Sequence, residues 1–322
     1  MPVDFRGWCG ESAERVREKG IVRGAVGSAY WAYVGAWLSF STRMPVGTNI
    51  FTREWDALLV LDACRVDALR IVADDYDFIG SVDSIVSVGS TSFEWIPKTF
   101  TNEYVDEIRD TAYVCGNPYL RKTFYDRNHP PARDSVPFGP TDYRAVRPED
   151  FACLDEVTSY GIDDDLGTIP PRTMTDRAID VGRTVDPGRL VVHYVQPHEP
   201  YFTTDHTDVE HTRHRLQDGE ATREEAFERY LETLRVVLDD VEILLRNIDA
   251  ERVVITADHG ELFGEFGVYG HPIGFPHPAL KRVPWAETSA TDTGSYEPTI
   301  DPSEERKTDQ EVEKHLENLG YI

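Results

Sequence analysis

The stretch LLVLDACRVDALR, residues 58–70, carries an apolar run that ends in Asp62 and Cys64. Read from the cysteine, Cys64 and Arg70 have the C-x5-R spacing of a phosphatase loop, in which a thiolate attacks phosphorus. Read from the aspartate, Asp62 stands where a buried strand runs out, a usual place for a metal ligand. Two more apolar runs end in residues of the same kind. In VVHYVQPHEPYF, His193 lies inside the run and His198 just past it, and in VVITADHGELFGE the run is followed by Asp258 and His259. Ligands of open α/β sheets bind beyond the carboxyl ends of the strands, so these carboxylates and imidazoles are expected to meet there. Oxygen and nitrogen donors without thiolates suit one or two divalent cations: zinc, manganese, magnesium or calcium. Each residue alone has a plainer role, as a helix cap for an aspartate or a structural imidazole for a histidine. Three coincident strand ends are more specific than any one of them.

Together, D-x-x-R-x-D at Asp62, Arg65 and Asp67, HEPY at His198, Glu199, Pro200 and Tyr201, and DHGE at Asp258, His259, Gly260 and Glu261 resemble the sulfatase-like branch of the alkaline phosphatase superfamily. The terminal LENLGY resembles the end of many sulfatases. The similarity covers residues 56–285 and that tail, and leaves out the first fifty residues. It implies an alkaline-phosphatase-like fold, a cation bound by Asp62, Asp258 and His259, and an alkoxide nucleophile on the first turn of a helix. The segment SVGSTSFEWIPKTF supplies the hydroxyls, because Gly89 allows a tight turn and Ser90, Thr91 and Ser92 precede a plausible helix. A hydroxyl there faces both a helix N-terminus and a divalent cation, which favour its alkoxide. The block resembles the nucleophile turn of lipoteichoic acid synthases, which places the nucleophile, and a metal contact, on Thr91, with Ser92 and Ser90 as the alternatives. Phosphoethanolamine transferases resemble the region after DHGE, so His271 is expected to bind a second cation or the transferred group, ahead of His277. His198 and His193 join it as substrate-binding or proton-donating residues. Arg65, and less strongly Lys281, are expected to neutralise oxyanion charge.

True sulfatases carry C-x-P-x-R or S-x-P-x-R, whose first residue becomes formylglycine, and no cysteine here fits: Cys64 is followed by RVD, Cys115 by GNP and Cys153 by LDE. The expected substrates are therefore phosphate esters ahead of sulfate esters, small or carried on a glycan or lipid, cleaved by hydrolysis or transfer. A sulfatase proper and a catalytically silent binding relative are the alternatives. The thiolate reading of Cys64 fails on its own terms. A phosphate loop needs glycine for its curvature, RVDAL has none, and Asp62 and Asp67 would repel the anion.

The elements that must position these groups follow from periodicity. Residues 57–61, 190–195 and 253–256 read as buried parallel strands, with weaker candidates at 84–88 and 111–114. The clearest helix covers 223–248, opened by a capping box of Thr222 and Glu225. Strands alternating with helices give an α/β class with a mostly parallel sheet covered by helices on both faces. An N-terminal helical segment is expected over 1–48 and a catalytic domain over 49–285, with an insertion at 116–185. A polar linker and a short helix in EVEKHLENLGYI complete 286–322.

Composition bounds the rest. Against 33 basic residues stand 58 acidic ones, spread along the chain, for a net charge of −25. Such a chain repels phosphate backbones, which excludes nucleic acid as a partner, and suits high salt. Four scattered cysteines and an N-terminus without a signal-peptide pattern point to a reducing, cytoplasmic setting. Residues 24–42 are uncharged between Arg23 and Arg43. They read as a helix packed on the domain, whose Tyr30, Trp31, Tyr33 and Trp37 also suit contact with a membrane surface.

Overall fold

The computed structural model of the chain describes residues 3–131, 135–203 and 209–300. The helix expected in EVEKHLENLGYI lies outside the described residues.

Seven strands form one sheet: β1 (Ala57–Leu61), β2 (Val82–Val86), β3 (Thr111–Cys115), β4 (Cys153–Glu156), β5 (Arg189–Tyr194), β6 (Ala250–Thr256) and β9 (Arg282–Ala290). Their order is β2-β9-β6-β1-β5-β3-β4. A two-stranded ribbon, β7 (Leu262–Phe263) with β8 (Tyr269–Gly270), lies apart from it. β1, β3, β4, β5 and β6 run parallel, and β9 pairs antiparallel with β6 and β2. β1 is central, and all five of its residues are buried. Leu59 sits opposite Val192 on one side and Ile255 on the other, which is why the three strands read as unbroken apolar runs.

Helices cover both faces. α3 (Val66–Val72), α7 (Pro171–Val185) and α9 (Arg223–Leu245) pack along the sheet, and α7 touches β3, β5 and α9. The capping box at Thr222 and Glu225 opens α9 as its sequence signals. α4 (Ser92–Thr99) packs against α6 (Tyr119–Phe124). Shorter helices are α5 (Val105–Arg109), α8 (Thr212–Asp218) and α10 (Pro278–Lys281).

Two boundaries differ from the sequence reading. β9 crosses residue 285, so the start of the expected linker is a sheet strand. Its Pro284 discourages a strand assignment. It is tolerated because the β6 ladder ends at the pair Thr256–Trp285 and needs no amide from the next residue. Residues 116–185 are also no simple insertion, since they supply the edge strand β4 and the covering helix α7.

Ahead of the sheet, α1 (Phe5–Lys19) and α2 (Ile21–Ser41) form a hairpin that turns at Gly20. Gly24 lets the two helices touch, because a Cβ there would stand 2.4 Å from the Cα of Val16. α2 packs on the domain: Tyr30 and Tyr33 donate to the carbonyls of Ile273 and Gly274, and Trp37 Nε1 donates to Glu94. No described helix is long and apolar enough to cross a membrane.

Candidate metal centre and nucleophile

Asp62 follows β1 and Asp258 follows β6, its neighbour in the sheet, so register alone brings the two carboxylates together. The turn after Asp62 is tightly specified. Ala63 adopts φ 62°, a left-handed conformation that a side chain disfavours, and Tyr230 of α9 fastens it. The tyrosine hydroxyl donates to Ala63 O and accepts from Arg65 N, both at 2.8 Å. On the other side, Asn117 Nδ2 donates to Asp62 Oδ2 at 2.7 Å from the end of β3. Neither Asn117 nor Tyr230 is marked by a motif, and only the meeting of strand ends reveals them.

Asp258 is held by one oxygen. Its Oδ1 accepts from the amides of Ala63 and His259, at 3.2 and 2.8 Å. Its Oδ2 is buried and makes no hydrogen bond among the described residues; it faces His259 Nε2 at 3.4 Å and His193 Nε2 at 3.6 Å. His259 Nε2 also stands 3.4 Å from Asp62 Oδ1. The ring's other nitrogen, Nδ1, lies 2.8 Å from Gly260 O, so it carries the proton and turns the Nε2 lone pair toward the carboxylates. The His193 ring is oriented by the Tyr113 hydroxyl, 2.9 Å from Nδ1. Gly260 must be glycine, because a Cβ would meet Ala279 O at 1.9 Å.

The electrostatics of the cluster suit a positive charge. Burial, and then the neighbouring Asp258, push the Asp62 carboxyl well above the usual range, although Asn117 and Ser92 oppose this. Burial acts on Asp258 too, but His259 and His193 beside it hold that carboxyl below its usual range. Two buried carboxylates repelling each other, with Asp258 Oδ2 and the His259 Nε2 lone pair aimed between them and His193 Nε2 close by, fit a divalent cation. Asp62, His193 and Asp258 offer ligand atoms within 4.8 Å of one another. His193 therefore stands beside Asp258, where the sequence reading had expected it with the substrate or a second cation.

The three hydroxyls divide their work differently from the sequence reading. Thr91 Oγ1 caps α4 by accepting from Glu94 N at 3.0 Å. Ser90 is held by Glu94, which accepts from its amide and hydroxyl. It is Ser92, the first residue of α4, that faces the cluster, with Oγ 3.4 Å from Asp62 Oδ2 and 3.2 Å from His259 Nε2. Thr91, the residue favoured by the sequence reading, thus serves as the cap, and Ser92, its alternative there, is the hydroxyl nearest the carboxylates.

A second group lies beside the first. His198 Nε2 and His271 Nε2 are 3.0 Å apart, and with Glu261 they offer three ligand atoms within 4.8 Å. His198 Nδ1 lies 2.7 Å from Glu199 O, so the proton between the rings sits on His271. Burial lowers the His198 pKa to about 3 and holds His271 well below its usual value. Burial also raises Glu261 to about 7, with Glu199 adding to it and Arg213 opposing.

Other expected residues have structural roles. Arg65, expected to neutralise oxyanion charge, pairs with Asp67 at 2.6 Å and Glu265 at 2.8 Å. His277 caps α10, accepting from Ala279 N. Lys281 donates to Gly89 O at 3.0 Å behind the hydroxyl turn. Cys64 is fully buried, and burial with Asp67 nearby pushes its thiol far up, which leaves it inert.

Neither a protein-family model nor a curated protein sequence matches the chain. Among solved structures it is similar to the soluble domain of lipooligosaccharide phosphoethanolamine transferase A from Neisseria meningitidis, at 14% identity over 73% of this chain and 76% of that one, with a TM-score of 0.48. It is also similar to the integral membrane protein of the same name, at 13% identity and a TM-score of 0.49. That match covers 88% of this chain but 59% of the membrane protein. A third similar structure is a 2-O GAG sulfatase, at 13% identity over 82% of this chain and 70% of that one, with a TM-score of 0.41.

Proposed function

We propose that the chain is a metal-dependent enzyme that acts on phosphate esters, by hydrolysis or transfer, with Ser92 as the attacking group. One observation carries this reading: the Ser92 hydroxyl, on the first turn of α4, stands within 3.4 Å of both Asp62 and His259. Asp62, Asp258, His259 and His193 would hold the cation, with Ser92 beside them. A divalent ion there would lower the pKa of the hydroxyl and offset charge on the ester oxygens.

The chain's own groups supply the rest. Gly260 O keeps His259 in the tautomer that presents Nε2 to the serine. The N-terminus of α4 favours negative charge on Ser92 Oγ as it attacks phosphorus. His271 Nε2, carrying the proton it shares with His198, is placed to donate a hydrogen bond to an ester oxygen. Burial holds both imidazoles below their ordinary pKa, so His271 acts through its N–H as a hydrogen-bond donor and not as an acid. Water then releases phosphate from Ser92, or an acceptor alcohol takes it. A second cation at His198, Glu261 and His271 is compatible with the same donor set. Small phosphoesters and those carried on a glycan or lipid are the substrate class. Sulfate esters rank lower, because no formylglycine motif is present.

The test pairs metal analysis with trapping. Full-length protein in high salt should contain a divalent cation, cleave p-nitrophenyl phosphate faster than p-nitrophenyl sulfate, and yield a phosphorylated Ser92 peptide on acid quench. Asp258→Ala should lose metal and turnover together. Full turnover by Asp258→Ala without metal would overturn the mechanism, and absence of both metal and turnover in the parent would favour a silent binding relative.

A further inference from the structure

From Lys19 to Arg53 the chain contains no acidic residue, although 58 of its 322 residues are acidic. The segment carries Lys19, Arg23, Arg43 and Arg53, and α2 lies inside it. One face of α2 is buried against the protein through Gly24, Ser28, Val34, Gly35, Leu38 and Ser41. The opposite face is different. Val22, Val26, Ala29, Tyr33, Ala36 and Phe40 are spaced by four and three residues in turn, so they form one straight stripe of about 27 Å. All six are exposed, Val22 by 76%, Val26 by 65% and Phe40 by 50%, and Ile21 beside them by 78%. A monomeric protein rarely leaves so continuous an apolar strip in water.

We propose that this stripe docks the protein on a phospholipid bilayer, with α2 lying in the headgroup layer. The argument for lipid rests on charge. Over residues 1–43 the basic residues outnumber the acidic ones six to four, whereas the rest of the chain has 27 basic and 54 acidic residues. A surface of phosphate headgroups would repel that strongly acidic remainder, and α2, which carries no acidic residue, is the element that can approach it. Arg23 stands near one end of the stripe, where its guanidinium group would reach phosphate while Val22, Val26 and Phe40 enter the acyl boundary; Arg43, at the other end, is held by Ser39 and the carbonyl of Pro140 and adds positive charge there. Tyr33 within the stripe, and Tyr30 and Trp37 beside it, have polar ends already bonded to the protein, which suits rings at headgroup depth. Their partners, the carbonyls of residues 273 and 274 and the carboxylate of Glu94, belong to the segments that carry His271 and Ser92. Docking would therefore present the candidate site at a fixed distance from the lipid surface. The proposal stands on α2 and its charge pattern and does not require the catalytic reading.

The experiment is flotation of the full-length chain with phosphatidylglycerol vesicles, in salt high enough to screen the acidic body. The parent should float with the vesicles. Val22→Asp combined with Val26→Asp should lower the bound fraction at least about tenfold, the effect of placing two charges in the acyl boundary. Both positions are exposed, and unchanged circular dichroism would verify folding. Arg23→Glu should weaken binding as well, while Ile71→Asp, at an exposed apolar residue of α3, should leave it unchanged. A parent that stays unbound in high salt overturns the proposal, as does a double variant that binds like the parent. A vesicle-free dimer abolished by the double variant, with no flotation of the parent, would assign the stripe to a second copy of the chain instead.

Discussion

Ser92 and Thr91 are adjacent, and a helix rotates by about 100° per residue, so only one of them can cap α4 while the other faces the carboxylates. That geometry separates two substitutions. Ser92→Ala removes the oxygen beside Asp62 and His259 and should lower kcat at least about a thousandfold, roughly 4 kcal/mol of barrier. Thr91→Ala removes the cap on Glu94 N and should cost about 1 kcal/mol of stability with kcat within a few-fold of the parent. Steady-state kinetics and urea denaturation on both variants decide it, and a dead Thr91→Ala with an active Ser92→Ala would restore the register expected from sequence. At this scale the sequence was informative where chemistry and strand ends coincide. Asp62, Asp258 and His259 announce themselves because acids and imidazoles at the ends of apolar runs have few plainer uses. Asn117 carried no such signal, since it lies in a proline-containing turn that reads as loop. The partners of Arg65 were not legible either, because a motif arginine looks the same whether it faces a ligand or pairs, as here, with Asp67 and Glu265.

α4 is the element through which the rest of the fold reaches the nucleophile, and its hub is Glu94. This fully buried carboxylate binds Lys98 and Trp37 through one oxygen and Ser90 through the other, so it ties α2, α4 and the hydroxyl turn together. Burial alone would raise its pKa, but Lys98 and Lys281 nearby bring it down to about 2 from an ordinary 4.5. A carboxyl depressed in the folded state binds fewer protons than in the unfolded one. Its stabilisation is therefore complete above pH 4.5 and disappears as pH falls toward 2. Glu94→Gln should cost roughly 3 kcal/mol near neutrality, with the difference from the parent shrinking across that window. Urea midpoints for both proteins at a series of pH values would show it, and a difference that stays constant down to pH 3 would refute the assigned cause. Element recognition followed the same physics. β1, β5, β6 and α9 were legible because burial on both faces, or on one stripe, writes a continuous or periodic pattern. β4 was not, being a four-residue edge strand with two acidic residues, and β9 was hidden by Pro284 and by Glu287 and Thr288 in its second half.

Over the whole molecule, charge is distributed as deliberately as the core. The hairpin face is free of acid from Lys19 to Arg53, while the remaining surface carries most of the 58 acidic residues. Many of these are paired, as in Arg121–Glu156 at 2.7 Å and Arg183–Asp292 at 2.8 Å, but 33 basic residues cannot neutralise them all. Added salt acts on the two populations in opposite directions. It weakens exposed ion pairs, which contribute about 0–1 kcal/mol each, and it relieves repulsion among the unpaired acids. The surplus is −25 charges, and like charges at medium range are screened most once the Debye length falls from about 10 Å at 0.1 M to near 3 Å at 1 M. Repulsion should therefore dominate, and the melting temperature should climb by several degrees between these concentrations of potassium chloride. The response should be largest in the first part of the range, where the screening length changes most. Potassium chloride is the appropriate salt because sulfate would also strengthen apolar burial and blur the cause. A melting temperature that falls with potassium chloride would mean that the ion pairs outweigh the self-repulsion. The acidic surface would then have to be explained by something other than salt.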